Sequence, residues 1–248
     1  MSDNYLTYFS HIPTAFRKGR NVSDGYARGW GLQFHDLRQK ISNDPLYQEA
    51  YNLAVGRTIV SEDNRMNLYL IIRFYLERIP KGNIIEFGSY KGGNAIFMAY
   101  VASKINSNIE VFALDTYHGM PEVDSAIDAH GAGDFPDVDL EELKQYASAI
   151  RLNNLHFVQG LFEDTTSSVI KRSAPFSLVH IDCDIRSAVE YAYTTTKSHM
   201  VSGGYWVFDD ATVASCLGAT EAVEEVIIRQ DGLCSEQIFP HFVFRAPL

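Results

Sequence analysis

The chain predicts an α/β protein: a mostly parallel, doubly wound sheet with an antiparallel C-terminal strand and an N-terminal helical extension. Three observations predict it. Short apolar runs alternate with helical text between residues 83 and 230, the signature of a parallel sheet covered on both faces. The first run, "NIIEFG", enters a glycine-rich turn, "SYKGG", just before a helical stretch. Two later runs end in paired acids, Asp182 with Asp184 and Asp209 with Asp210, at the strand ends where such a sheet binds its ligands.

Each element follows from local pattern. Residues 1–60 are irregular, with Gly19, Gly25, Gly29 and Gly31 among aromatic and basic residues, and predict an arm or cap of short helices and loops. "SEDNRMNLYLIIRFYLERI" opens with acids, repeats Met66, Leu70, Ile71 and Phe74 at helical spacing, and stops at Pro80 and Gly82. "NIIEFG", "IEVFALD", "LHFVQG", "FSLVHID" and "GYWVFDD" read as five strands, and "HFVFR" as a last, antiparallel one. "GGNAIFMAYVASKI", "SAVEYAYTTTKSHM" and "LGATEAVEEVIIRQ" read as helices. Residues 121–142 carry many acids, no Lys or Arg, two glycines and two prolines, and predict a lid inserted after the second strand.

Bulk properties narrow the partners. A net charge of −10 disfavours nucleic acid and anionic membrane surfaces. No apolar stretch is long enough to span a bilayer, and "MSDNYLTYFS" lacks a signal-peptide pattern, so the cytoplasm is expected. Cys183, Cys216 and Cys234 have no C-x-x-C spacing, which argues against disulfides and structural zinc. Cys183, between two acids, reads as a buried space-filler rather than a nucleophile.

The turn Glu86-Phe87-Gly88-Ser89-Tyr90-Lys91-Gly92-Gly93-Asn94 lacks the G-x-G-x-x-G of dinucleotide sites. It has an acid two residues before its first glycine, suited to an amino group, and a helix start suited to a carboxylate. Asp115 ends the second strand, where an acid grips ribose hydroxyls. An amino acid joined to a nucleoside describes S-adenosylmethionine (SAM) better than NAD.

In a class I methyltransferase strand order, the strands ending at Asp182 and Asp209 are neighbours about 4.8 Å apart. Asp182, Asp209 and Asp210 would then converge and repel by about 4 kcal/mol per pair at about 4 Å, unless one is protonated or a cation is present. Carboxylates without His or thiolate suit Mg²⁺, and Asp182 is placed to act as general base. The alternative is that Asp184 and Asp210 cap helices. His180 reads as a hydrogen-bonded core residue, whereas His118 and His130, in or beside the lid, could meet a substrate.

The set "EFGSYKGGNA", "DTYHGMPEVD", "GLFEDT", "VHIDCD", "GGYWVFDD" and "GATEAVEE" resembles the macrocin O-methyltransferase family. The resemblance runs from about residue 86 to residue 225. It implies a class I SAM-methyltransferase Rossmann-like fold over residues 61–248, with SAM and Mg²⁺ as cofactors and a sugar hydroxyl of a natural product as acceptor. It implies that Glu86, Gly88, Ser89 and Asn94 line the methionine end of SAM, together with Phe87 and Gly92 of the same turn. Asp115 and Thr116 would hold the ribose, and Gly160, Phe162 and Asp164 the adenine side. Asp182, Asp209 and Asp210 match the metal ligands, Asp182 also the base, and the lid covers substrate. Ile185-Arg186, Ala211 and Asn94 depart from the family's Leu-Tyr, aromatic and Ser, the first two altering the expected acceptor wall. Expected partners are a small sugar-containing molecule and a second copy of the chain, with no nucleic acid or membrane. A catechol acceptor, sugar C-methylation, a NAD-dependent oxidoreductase and a non-catalytic SAM-binding module remain the alternatives.

Overall fold

The computed structural model describes residues 16–17, 20–21, 32 and 36–247. Half of the expected N-terminal arm, residues 1–60, therefore lies outside the described residues. Within it, Phe16–Arg17 and Arg20–Asn21 form a short antiparallel ladder. Two helices follow, α1 (Leu37–Ser42) and α2 (Pro45–Ala54).

Helix α3 spans Glu62–Leu70. Ser61 Oγ accepts from Asn64 N at 3.1 Å, and Glu62 and Asp63 place negative charge in the first turn. The chain then loosens into a wider turn over Ile71–Tyr75 and tightens again over Leu76–Arg78. The wider turn shifts the phase of the apolar stripe, so Phe74, which shares the helical spacing of Met66, Leu70 and Ile71, is 46% exposed.

Six strands form one sheet: β1 (Asn83–Phe87), β2 (Val111–Asp115), β3 (Leu155–Gln159), β4 (Phe176–Ile181), β5 (Met200–Phe208) and β6 (Phe242–Arg245). Their spatial order is β3-β2-β1-β4-β5-β6. All pairs are parallel except β5 with β6. The parallel strands are joined by the crossover helices α4 (Gly93–Ile105), α5 (Leu140–Ala149), α6 (Phe162–Ser173) and α7 (Arg186–Thr196), and α8 (Leu217–Ala222, continued as a wider turn over Val223–Gln230) joins β5 to antiparallel β6.

Period-two alternation divides the core into two faces. Ile84, Val111, Ala113, Leu178 and Val207 pack against α2, α3, α4 and α5. Ile85, Leu114, Val179, Trp206 and Phe244 pack against α6, α7 and α8. Helix α4 is apolar on nearly every side because α2 covers the surface it turns away from the sheet. Strand order reverses between β1 and β4, which places the ligand crevice at their carboxyl ends.

Candidate active site

The site begins where β1 and β4 finish. Gly88 has φ +83°, and a Cβ there would stand 1.7 Å from the Asp182 carbonyl oxygen. The two strand ends thus meet backbone to backbone, an approach open to glycine alone. Asp115, ending β2, braces this turn: its Oδ2 accepts from Ser89 N and Tyr90 N at 2.8 Å each, and its Oδ1 from Tyr117 N at 2.7 Å.

Register brings the acids together. Phe87 pairs with Ile181 and Ile181 with Phe208, so Asp182 and Asp209 follow side by side. Asp182, Asp209 and Asp210 offer carboxylate oxygens within 4.8 Å of one another. Neither Asp184 nor Asp210 caps a helix: α7 begins after Ile185 without a cap from its own flank, and Asp210 Oδ2 accepts from Asp184 N at 2.8 Å.

The three acids differ electrostatically. Burial, then repulsion from Asp209 and Asp210, pushes the Asp182 carboxyl well above the usual range. Burial and repulsion from Asp184 and Asp209 do the same to Asp210. Burial alone would also raise Asp209, but hydrogen bonds from His180 and His241 overcome it and hold that carboxyl far below the usual range. Its Oδ1 meets Asn64 Nδ2 at 2.8 Å, His241 Nδ1 at 3.2 Å and His180 Nε2 at 3.3 Å. His180 is buried, and burial alone would lower its pKa. Hydrogen bonds to Asp209 and Glu86 raise it instead to about 9. It is thus a charged core residue that orients the acids, in line with the core role expected for it.

The acid trio fits a divalent cation. Among the described residues no hydrogen bond reaches the Asp182 carboxylate, and Asp209 Oδ2 and Asp210 Oδ1 are likewise uncommitted. Two of the three resist ionisation without positive charge nearby, and an all-oxygen set suits a hard ion. The first turn also holds unmet polar atoms: Glu86 Oε2, Ser89 Oγ and Asn94 Oδ1 are buried without a hydrogen-bond partner. Glu86 Oε1 is occupied by Asn94 Nδ2 at 2.7 Å and His180 Nδ1 at 3.1 Å. Buried orphans of this kind call for a ligand that pairs with them.

A cavity of about 810 Å³ opens above. Of the residues singled out in the sequence, Gly88, Asp115, Thr116, His130, Phe162, Asp182, Asp209 and Asp210 line it. Glu86, Phe87, Ser89, Gly92 and Asn94 sit in or behind the turn. Gly160 and Asp164 flank Phe162, whose ring meets Phe87 edge-on at 5.1 Å. His118 does not line the cavity; its Nε2 lies 2.9 Å from Gln159 Nε2. Cys183 lines the wall, but burial pushes its thiol far above the range of a nucleophile. Ile185 is part of the wall, whereas Arg186 turns to Glu190 and Glu221, and Ala211 is buried away from it.

Residues 116–139, which include most of the lid expected at 121–142, have no regular structure but are tied at several points, and residues 140–142 instead open α5. Tyr90 Oη donates to Asp137 Oδ1 at 2.6 Å, and Asp128 Oδ1 accepts from Arg186 N at 3.0 Å. Sequence reasoning missed Ile59, Val60, Asn64, Glu163 and Cys216 in the cavity wall and His241 behind Asp209. Asn64 and Asn67, three residues apart on the apolar stripe of α3, were the available signal: polar side chains on a buried face need a partner.

Residues 46–230 match the macrocin O-methyltransferase (TylF) family. A Streptomyces olivaceus protein named 8-demethyl-8-(2,3-dimethoxy-alpha-L-rhamnosyl)-tetracenomycin-C 4'-O-methyltransferase is 24% identical over 176 residues, covering 67% of each chain. The structure of the O-methyltransferase NovP superposes with TM-score 0.66 at 18% identity over 100% of both chains. The calicheamicin methyltransferase CalS11 superposes with TM-score 0.66 at 17% identity, over 84% of this chain and 89% of that one. These two likenesses establish the fold. The family match spans well over half of the 248 residues and includes the first turn, Asp115 and the acid trio: the chain belongs to the macrocin O-methyltransferase family and is a methyltransferase.

Proposed function

We propose that the protein is a SAM-dependent, Mg²⁺-assisted O-methyltransferase acting on a sugar hydroxyl of a glycosylated natural product or a surface-polysaccharide precursor. The observation that carries this reading is the acid trio on the wall of a cavity that also reaches the glycine turn and Asp115. The S. olivaceus relative, named for methylating a rhamnosyl oxygen, supports the sugar acceptor. So does the rim: Ile59, Leu161 and Val213 are exposed apolar side chains at the cavity, suited to the apolar body that carries the sugar.

When bound, SAM supplies an electrophilic methyl group and Mg²⁺ lowers the pKa of a coordinated hydroxyl. The chain's residues do the rest. Glu86, Ser89 and Asn94 would meet the amino-acid end of SAM through the atoms that now lack partners, with Phe87, Gly88 and Gly92 shaping the turn. Asp115 and Thr116 would hold the ribose, and Gly160, Phe162 and Asp164 the adenine side. Asp182, Asp209 and Asp210 would hold Mg²⁺. An Asp182 carboxylate oxygen would accept the acceptor hydroxyl's proton, a task suited to an acid whose pKa burial has raised. His180 and Asn64 keep Asp209 ionised and oriented. Phe135 and Met120, with His130 nearby, would cover the acceptor and exclude water, so that catalysis rests on positioning and charge stabilisation. The same reading places the protein in the cytoplasm as a homo-oligomer, with residues 1–60 as a cap or dimer contact.

The test is the full-length protein with methyl-labelled SAM, Mg²⁺ and a panel of glycosylated natural products, sugar nucleotides and catechols. Label on a sugar oxygen is expected. Label on a sugar carbon or on catechol alone would reassign the acceptor. Thermal stabilisation by NAD and not by S-adenosylhomocysteine would remove the methyl donor.

A further inference from the structure

A second cluster of ligand atoms lines the same cavity, drawn from three separate segments. His130 belongs to the lid, Asp184 to the link between β4 and α7, and Cys216 to the residue preceding α8. Cys216 Sγ lies 3.7 Å from His130 Nε2 and 3.3 Å from Asp184 Oδ1, and His130 Nε2 lies 3.6 Å from that same oxygen. Tetrahedral zinc with ordinary Zn–S, Zn–N and Zn–O bonds sets its ligand atoms about 3.3–3.6 Å apart. The three measured separations lie close to three edges of such a tetrahedron.

The surroundings favour a metal as well. His130 Nδ1 lies 3.3 Å from Asp134 Oδ2, which also accepts from Gly131 N at 3.0 Å. This carboxylate–histidine arrangement fixes the tautomer that frees Nε2 for a cation. Asp184 holds φ +61°, a left-handed conformation that Asp adopts more readily than most residues, and its N–H is anchored by Asp210.

We propose that His130, Asp184 and Cys216 form a second metal site, selective for Zn²⁺, that fastens the lid to the body of the protein across the acceptor cavity. Its sulfur, nitrogen and oxygen donors suit a borderline ion, whereas the all-oxygen trio of Asp182, Asp209 and Asp210 suits a hard one. Three protein ligands leave a fourth position for water or an acceptor oxygen. The site does not depend on methyl transfer, so its failure and the failure of the methyltransferase reading are separable.

The experiment uses full-length protein carrying Cys234→Ser, which removes the exposed thiol, in saturating Mg²⁺. Zn²⁺ is titrated by calorimetry and Co²⁺ by absorption. One Zn²⁺ per chain is expected, with Co²⁺ giving thiolate charge-transfer and tetrahedral ligand-field bands. Cys216→Ser should weaken Zn²⁺ binding about 100-fold or more, Asp134→Asn about 10–100-fold, and Asp182→Asn should leave it in place. Should Cys216→Ser fold poorly, His130→Ala in the lid carries the same expectation. Absence of the charge-transfer band, undiminished Zn²⁺ affinity in the folded ligand variant, or loss of Zn²⁺ through Asp182→Asn instead would each overturn the proposal.

Discussion

Gly88→Ala places a methyl group where the ends of β1 and β4 touch. The new carbon would meet the Asp182 carbonyl oxygen at 1.7 Å, the Asp182 carbonyl carbon at 2.6 Å and Cys183 Cα at 3.1 Å, all of them backbone or Cα atoms that cannot rotate aside. The residue would also be held at φ +83°. Left-handed strain costs roughly 1–2 kcal/mol and overpacking roughly 1–3 kcal/mol, so the loss should be about 2–5 kcal/mol. For a chain of this size that lowers Tm by about 4–20 °C. Gly56→Ala is the control, because Gly56 has φ +77° but nothing within 4 Å of its would-be Cβ; it carries the strain without the clash. Urea unfolding of both variants, with Mg²⁺ binding as a second readout, isolates the contact. Equal losses in the two variants, with Mg²⁺ affinity intact in Gly88→Ala, would refute the close approach that organises the site.

Four further expectations concern neighbouring residues. His180 rises from 6.5 to about 9 on folding, so its contribution is fully present below the unfolded value and fades as pH rises through the folded one. In chelator, the stability advantage of wild type over His180→Leu should be greatest near pH 6 and shrink as pH rises through about 9; a gap constant across that range in urea titrations would show that His180 is not charged. Asn64→Ala removes the amide donor to Asp209 and should cost about 1.5–3 kcal/mol in the same assay. It should also weaken Mg²⁺ binding about 10–100-fold by calorimetry. Arg57 pairs both guanidinium nitrogens with Glu142 at 2.8 Å over the Tyr146 ring, at the surface; Arg57→Ala should cost less than about 1 kcal/mol, and a larger loss on unfolding would assign this tie a structural weight. Asp182→Asn should leave SAM binding nearly intact in calorimetry while abolishing turnover.

The fold was legible because its signals are local. "NIIEF" and "FSLVHI" lack the strict apolar–polar alternation of a half-exposed strand, as parallel strands covered on both faces do, and both become buried strands. "HFVFR" at the end of the chain pairs antiparallel to β5 as expected. The acid trio was legible for the same reason: carboxylates directly after apolar runs need compensation, and the register of β4 with β5 brings them together. What escaped was contact between distant segments. Nothing local marks Asn64 as a partner of Asp209, 145 residues away, or His241 as a second one. Cys216 has no spacing motif, yet the chain after β5 returns it to Asp184 and His130. Phe74 misled because helical periodicity assumes a constant pitch, and the wider turn at Ile71–Tyr75 breaks it.

Calorimetric titration of Mg²⁺ into the SAM-saturated full-length protein and its Asp182→Asn and Asp210→Asn variants tests the acid trio most directly. One Mg²⁺ per chain should bind the wild type, both variants should lose it, and excess chelator should stop methyl transfer reversibly. Equal Mg²⁺ affinity in all three proteins, or transfer undiminished in chelator, would contradict the trio as the metal site of this methyltransferase.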